Sequence, residues 1–406
     1  MKIVFVGTGE LINRLPETFN RPGLEIIVLG PATCSLRRSK YITKFIELPA
    51  TDPLELWHET ALANYKKILE QQADWVIFSD DETVGAIAKS AIPAEEKLKL
   101  LPVKSDAGLE ILGSKVGLAN SMNRLAIPGP KSAVACNRDE LDQNAISAGT
   151  EFLIKGDLFG GGSRVRKFDS ENAKPDLQIP LDWYPVVVQE FIEGDEVSVE
   201  ALFRDGQLTA WMYSVVSQNI SQFGPSVVRR YFTPANTDFE TTLNHIGNAA
   251  QLHGFFNCAL IWSPDRQAHF LFELDPRPNA WHQFGKHFGI DWVELMLGER
   301  PNKTPVSPKL DSAAPLHLYS RDLRSALASA SWRRIKPWLT NAPGTWQTRN
   351  HLDSAVNRFE ARSIIYWFAG PVVAFSANVW QSFPMPLQKF LVKTRLKQMV
   401  IFLIGA

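Results

Sequence analysis

Four stretches in the middle of the chain have the residue types and spacing of a site that handles phosphates. Phe152-Leu153-Ile154 is an apolar run that ends in Lys155, and Gly160-Gly161-Gly162-Ser163 follows. A glycine loop lets the backbone come close to a polyphosphate with its N–H groups turned inward, and the ammonium adds charge. It is not a Walker A loop, because no Gly-Lys-Ser/Thr follows the glycines. Glu273 and Asp275 stand two apart in Phe270-Leu271-Phe272-Glu273-Leu274-Asp275, so on a strand they share a face. Two carboxylates on one face repel unless a cation lies between them, and oxygen ligands beside phosphates point to Mg²⁺. Pro276 and Pro278 end that strand and expose Arg277 beside the carboxylates. Gly113-Ser114-Lys115 opens a helical stretch that stops at Pro128-Gly129-Pro130. The fourth stretch is Gln189-Glu190-Phe191-Ile192-Glu193-Gly194-Asp195-Glu196, between the apolar run Val186–Val188 and a strand that starts at Val197. Singly, each has a plain alternative: a solvated strand end, a flexible hairpin loop, a surface turn with a local ion pair. Their occurrence together, in this order, argues against coincidence.

These groups need elements to hold them. In the first hundred residues, Lys2–Val6, Leu24–Leu29, Ile42–Leu48 and Trp75–Phe78 are short apolar runs, and residues 53–72 repeat apolar side chains at helical spacing. Near-continuous apolar strands alternating with helices predict an α/β domain with a parallel sheet covered on both faces. Gly7-Thr8-Gly9 follows the first strand, but the third glycine of a dinucleotide fingerprint would fall at Ile12, which leaves a tight turn as the better reading. Asp80-Asp81-Glu82 follows the fourth strand. Open α/β sheets bind ligands at that end, and a capped helix start fits the residues equally well.

Composition removes other classes. The 406 residues include 43 basic and 43 acidic ones, so there is no general basic coat for nucleic acid. Cys34, Cys136 and Cys258 are too far apart for a local zinc cluster or a disulfide framework. The start, MKIVFVGTGE, reads as a buried strand rather than a signal peptide, and a cytoplasmic setting is expected. Gly224-Pro225-Ser226 lacks the closing glycine of a nucleophile elbow, and no HExxH is present. His282 and His287 sit among aromatic residues, where a packing or substrate-pocket role is expected rather than metal ligation.

The order Lys115, Lys155 with its glycine loop, QEFIEGDE and then ELDPRP resembles the ATP-grasp superfamily, in its carboxylate–amine ligase group. That group is similar to D-alanine–D-alanine ligase, biotin carboxylase and carbamoyl-phosphate synthetase. The resemblance covers about residues 1–300. It implies an α/β chain with a Rossmann-like domain at 1–108, grasp lobes at 109–188 and 189–302, and a C-terminal extension at 303–406. It implies ATP and Mg²⁺ (Mn²⁺ as an alternative), small-molecule carboxylate and amine substrates, and an acyl-phosphate intermediate. Carried onto this sequence, Lys115 and Lys155 would contact phosphates, and Gly161, Gly162 and Ser163 would lie in the flap over them. Gln189, Glu190, Phe191 and Ile192 would line the adenine pocket, partly through backbone groups at the hinge between the grasp lobes, and Glu196 would accept hydrogen bonds from the ribose hydroxyls. Glu273 and Asp275 would hold the metal, Arg277 would steady a phosphate or acyl phosphate, and Arg229, after the loop Gln222–Ser226, would face the substrate.

Two departures stand out. The superfamily usually carries a further metal ligand twelve to fourteen residues before the glutamate. Here that window is Ala259, Leu260 and Ile261, with Cys258 just outside. Asp275 stands where an asparagine is usual. Either Asp275 restores the anionic oxygen that Ala259 lacks, or the metal site is weakened and the chain is an ATP-binding module with degraded catalysis. A thiol or bicarbonate acceptor is a further alternative.

The last hundred residues differ in kind. Residues 321–406 carry twelve Lys/Arg and three Asp/Glu, and residues 363–388 carry no charge. A linker-like PNKTPVSPK precedes them. Asn378, Gln381, Pro384 and Pro386 interrupt the uncharged stretch, which argues against a spanning helix. Lys389, Lys393 and Lys397 form a helical stripe after it. Two expectations stand: a lobe packed on the preceding domain, or a surface resting on the cytoplasmic membrane face.

Overall fold

The computed structural model describes residues 1–8, 11–12, 15–49, 57–147, 150–158, 160, 162, 164–169, 177–219, 222–299 and 314–317. Residues 318–406, on which the packed-lobe and membrane expectations rest, lie outside them, as does the 300–313 linker. Among the described residues no helix is long and apolar enough to cross a membrane. The chain divides into two units. The first comprises 1–216, 223–225 and 231–313, and the second 217–222, 226–230 and 314–406.

Three sheets carry the first unit. The N-terminal sheet is parallel, with β1 (Lys2–Val6), β2 (Glu25–Gly30), β3 (Lys44–Glu47) and β4 (Trp75–Phe78) in the order β3-β2-β1-β4. Ile3 to Val6 and Ile26 to Leu29 are almost fully buried, as a sheet covered on both faces requires. The helical stretch expected over 53–72 is two short helices, Trp57–Ala63 and Tyr65–Leu69, separated at Asn64, whose amide bonds the Thr60 carbonyl. Asn competes with helix continuation through such local bonds.

The second sheet is antiparallel: β5 (Ser132–Ala135), β6 (Glu151–Gly156), β7 (Val165–Asp169) and β8 (Val186–Glu190), ordered β5-β8-β6-β7. Its core of Phe152, Ile154, Val186 and Val188 packs with Leu141 and Trp183. The third sheet follows in β9 (Asp195–Arg204), β10 (Gln207–Asn219), β12 (Gly254–Ser263) and β13 (Ala268–Asp275), and β11 is the strand Ser226–Tyr231. Within the first unit β13, β12, β9 and β10 lie side by side, antiparallel throughout. Their inner residues Val197, Val199, Ala201, Phe203 and Trp211 share one core with the N-terminal sheet and the helix Asp238–Ala250. In the second unit the structure describes most of β11 and the strand β14 (Ala314–His317).

Candidate nucleotide and metal site

Lys115 is the first residue of the helix Lys115–Leu125. Ser114 caps that helix by accepting the Gly117 N–H. A lysine there opposes the positive end of the helix dipole, so it needs an anion. Glu273 supplies one, with Oε1 3.4 Å from Lys115 Nζ. Burial pulls the Lys115 ammonium down, but the carboxylates of Glu273, Asp275 and Asp81 outweigh it and hold its pKa above the ordinary lysine value.

Lys155 projects from β6 and is only 5% exposed. Its Nζ lies 4.6 Å from the centre of the Phe272 ring on β13. Burial, aided by the like charge of Lys115 and only partly opposed by Glu273, pushes its pKa down to about 8. Asp157 ties the two lysine-bearing elements together. Its buried carboxylate meets Lys89 Nζ at 2.7 Å, accepts from Ser114 Oγ at 3.0 Å, and accepts from the Val116 N–H at 3.2 Å. The sequence offered no sign of that role, which depends on a fold-level meeting of β6 with a helix forty residues earlier.

Glu273 and Asp275 share a face of β13 as expected, and the pairing register shows what lies beside them. Ala259 stands opposite Glu273 on β12, and Asn257 stands opposite Asp275. The departure noted at Ala259 is therefore real in space: the residue facing Glu273 across the ladder is a methyl group. Burial raises Glu273, but Lys115 and Lys155 outweigh it and keep its carboxyl below the usual carboxylate range. Asp275 goes the other way. Burial, with the neighbouring negative charges of Asp81 and Glu273, pushes it up to about 8.

Arg277 is not exposed as the flanking prolines suggested. Its side chain is 12% exposed, with Nη2 2.6 Å from Asp81 Oδ2 and 3.4 Å from Asp275 Oδ2. Those carboxylates hold its pKa above even the usual arginine value against the effect of burial. Asp81 begins the helix Asp81–Lys89, and Asp80 caps it by accepting the Thr83 N–H. The capped helix start is present, with Asp80 as the cap, and Asp81 pairs with Arg277. Gly113, at φ +63°, permits this approach, since a Cβ there would lie 2.8 Å from the Asp81 carbonyl oxygen.

A cavity of about 150 Å³ adjoins the lysines. Met122, Ile127, Val187, Leu271 and Phe272 give it an apolar lining, with Gln189 and Ser132 at its polar side. Gln189 Nε2 donates to Ser132 Oγ. An apolar slot with a few polar groups beside two ammonium groups suits a nucleotide base with its phosphates at the lysine end. The neighbours of Gln189 behave differently. Glu190 is held by Arg266 and by the Lys131 N–H. The ring of Phe191 takes the ammonium of Lys167, and Ile192 is buried. None of these three side chains lines the cavity. Glu196 lies on β9 and acts electrostatically on Lys155.

Of the glycine loop, Gly160 and Gly162 are described; Gly161 and Ser163 lie outside the described residues. Gly162 has φ +72°, and a Cβ there would lie 1.9 Å from the Phe223 carbonyl oxygen. Arg229 is buried on β11 in the second unit, its Nε donating to Ser226 Oγ. His282 is fully buried against Phe255 and Trp292, which is the packing alternative of the two roles expected.

The donor set fits magnesium. Two strand-borne carboxylates offer hard oxygens beside two ammonium groups suited to phosphates, and Mg²⁺ is usually held by one or two carboxylates plus substrate phosphates. Among the described residues no group of three or more His, Cys, Asp and Glu residues is placed to hold a metal alone.

Comparison with known proteins agrees with this geometry. Residues 112–245 match the sequence profile of an ATP-grasp domain. No curated protein matches the chain. Among solved structures, the chain is similar to N5-carboxyaminoimidazole synthetase from Staphylococcus aureus in complex with ADP. That match has 16% identity and a TM-score of 0.59, covering 83% of this chain and 87% of that one. It is similar to the biotin carboxylase domain of Hydrogenobacter thermophilus 2-oxoglutarate carboxylase with MgADP and bicarbonate, at 15% identity and TM-score 0.59, covering 77% and 73%. It also resembles L-amino acid ligase from Bacillus licheniformis, at 17% identity and TM-score 0.53, covering 73% of each chain. With its Rossmann-like N-terminal sheet and its paired antiparallel sheets, the chain shares the fold of these proteins, and its residues 112–245 match an ATP-grasp domain.

Proposed function

We propose that the protein is an ATP-dependent ligase that joins a carboxylate to an amine and releases ADP and phosphate. The observation that carries this is the convergence of Lys115, Lys155, Glu273, Asp275 and Arg277 beside an apolar cavity. In this account the base occupies the slot lined by Met122, Val187 and Leu271, and Lys115 and Lys155 hold the phosphates. Glu273 and Asp275 would hold magnesium, which would supply positive charge against the phosphates. The substrate carboxylate oxygen attacks the γ-phosphorus, the bond to the ADP oxygen breaks, and an acyl phosphate forms. Arg277 stabilises the charge on the transferred group. The amine then attacks the acyl carbon, loses a proton, and phosphate departs. The protein's part is positioning and electrostatic stabilisation in a site screened from water.

A second reading differs only in the acid, which would be bicarbonate. The solved structure of a biotin carboxylase domain with bicarbonate favours it. ADP release measured with magnesium against a panel of carboxylates, bicarbonate included, each with and without amines, tests both. Magnesium-dependent ADP formation that requires an acid supports the proposal. ATP binding with no turnover across the panel favours a regulatory module with degraded catalysis.

A further inference from the structure

We propose that Asn257 is a positioning residue for the metal site: it fixes the orientation of Asp275 and leaves one of its oxygens to a divalent cation. This rests on the nucleotide-site reading above. Asn257 is buried on β12, directly opposite Asp275 on β13, and its Nδ2 lies 3.1 Å from Asp275 Oδ2.

The orientation of an asparagine amide is inferred from its partners, and here the partners decide it. The chain of bonds begins at a backbone donor, whose polarity is fixed. The Trp281 N–H donates to Asn279 Oδ1 at 2.9 Å, so the Asn279 Nδ2 must be the group that meets Asn257. That Nδ2 donates to Asn257 Oδ1 at 2.7 Å, and Ser198 Oγ meets the same oxygen at 2.7 Å. Turning the Asn257 amide over would set two NH₂ groups against each other and a carbonyl oxygen against the Asp275 carboxylate. Asn257 is therefore held as a donor toward Asp275.

The consequence falls on Asp275. Among the described residues its two hydrogen-bond donors, Asn257 Nδ2 and Arg277 Nη2, both meet Oδ2. One oxygen is committed to the protein and the other keeps its lone pairs for a cation. The same register puts Ala259 rather than an oxygen ligand beside Glu273. With few protein ligands, the exact aim of Asp275 matters more, and a rigid amide sets that aim at no cost in added negative charge. Hydrogen-bonding partners of metal ligands typically change metal affinity ten- to hundredfold when removed.

The test uses the full chain and ADP as the nucleotide. ADP affinity is measured by calorimetry in EDTA and across a Mg²⁺ titration, and Mn²⁺ binding is followed by EPR in the presence of ADP. Asn257→Leu keeps approximate volume and removes the amide. It is expected to raise the Mg²⁺ and Mn²⁺ concentrations needed for half-saturation about ten- to hundredfold, with ADP affinity in EDTA unchanged within about twofold. If that variant fails to fold, Asn279→Ala removes the donor that fixes the amide while leaving Asn257 in place, and a rise of at least threefold is expected. Unchanged metal dependence in a folded variant overturns the proposal. So does a parallel loss of ADP affinity in EDTA, which marks a merely structural role. A wild-type protein whose ADP binding ignores magnesium contradicts the nucleotide-site reading itself, whatever the variants do.

Discussion

Replacing Lys155 by methionine is expected to make the protein more stable and, at the same time, a poorer nucleotide binder. Lys155 is 5% exposed, and its pKa is lowered from 10.5 to about 8. A difference of that size corresponds to roughly 3 kcal/mol against the charged form. Methionine fills similar space without a charge to desolvate. Glu273 loses a countercharge in the exchange, so the net gain at pH 7 is placed at about 1–3 kcal/mol. The pH dependence carries the sharper signature. A folded-state pKa below the unfolded value means that the penalty is fully present below about pH 8. It fades as pH rises toward 10.5, where the unfolded chain loses its proton too. The variant's advantage must fade over the same window. Nucleotide binding should weaken by about 1.5–3 kcal/mol, as for the loss of one charge-assisted hydrogen bond, or roughly ten- to hundredfold in Kd. Urea unfolding at pH 7 and pH 10, with ADP calorimetry at pH 7, measures all three quantities. A variant less stable than wild type at pH 7, a stability difference indifferent to pH, or unchanged ADP affinity would refute the reasoning.

Other substitutions probe the remaining parts. Glu273→Gln should abolish magnesium-dependent ligation in a folded protein, with Asp275→Asn the milder change; steady-state ADP release compares them, and the reverse order contradicts the metal assignment. Asp81→Asn breaks an ion pair whose side chains are 16% and 12% exposed. Its cost should fall below the roughly 3–5 kcal/mol typical of a broken buried pair, because Asp275 still partners Arg277, and thermal unfolding reads it. Gly162→Ala forces a Cβ into the Phe223 carbonyl from φ +72°, so it should cost at least about 1 kcal/mol and weaken ADP binding by displacing the glycine loop. A folded Gly162→Ala protein with wild-type stability and ADP affinity would show that this close approach is unimportant.

Much of this was legible in the sequence because it is written locally. The β1, β2 and β4 runs are continuous and apolar, and a parallel sheet buried on both faces needs that. Glu273 and Asp275 share a face because a strand alternates with period two, whatever the tertiary fold. What escaped was set by pairing register and by long-range approach. Asn257 and Asp275 are eighteen residues apart, and only the β12–β13 register makes them neighbours. Arg277 looked exposed between two prolines, yet Asp81, 196 residues earlier, buries it in an ion pair. Nothing local marks Asp157, whose ties to Lys89, Ser114 and Val116 follow from where a helix meets β6. The resemblance places Gln189 to Ile192 at the base pocket, partly through backbone groups, and leaves open which side chains face it. A strand end alternates its sides, so Gln189 faces the cavity while Glu190 turns to Arg266.

The central claim is that the γ-phosphate of ATP passes to a carboxylate oxygen at Lys155, Glu273 and Asp275. Positional isotope exchange tests it without the amine. ATP carrying ¹⁸O in the β–γ bridge is incubated with the protein, magnesium and each carboxylate of the panel in turn, and ³¹P NMR follows the label. Reversible acyl-phosphate formation predicts that one carboxylate moves the label into the β non-bridging positions, and that Glu273→Gln stops it. Label that stays in the bridge with every acid while ADP and phosphate accumulate, or AMP and pyrophosphate in place of ADP, would contradict the account.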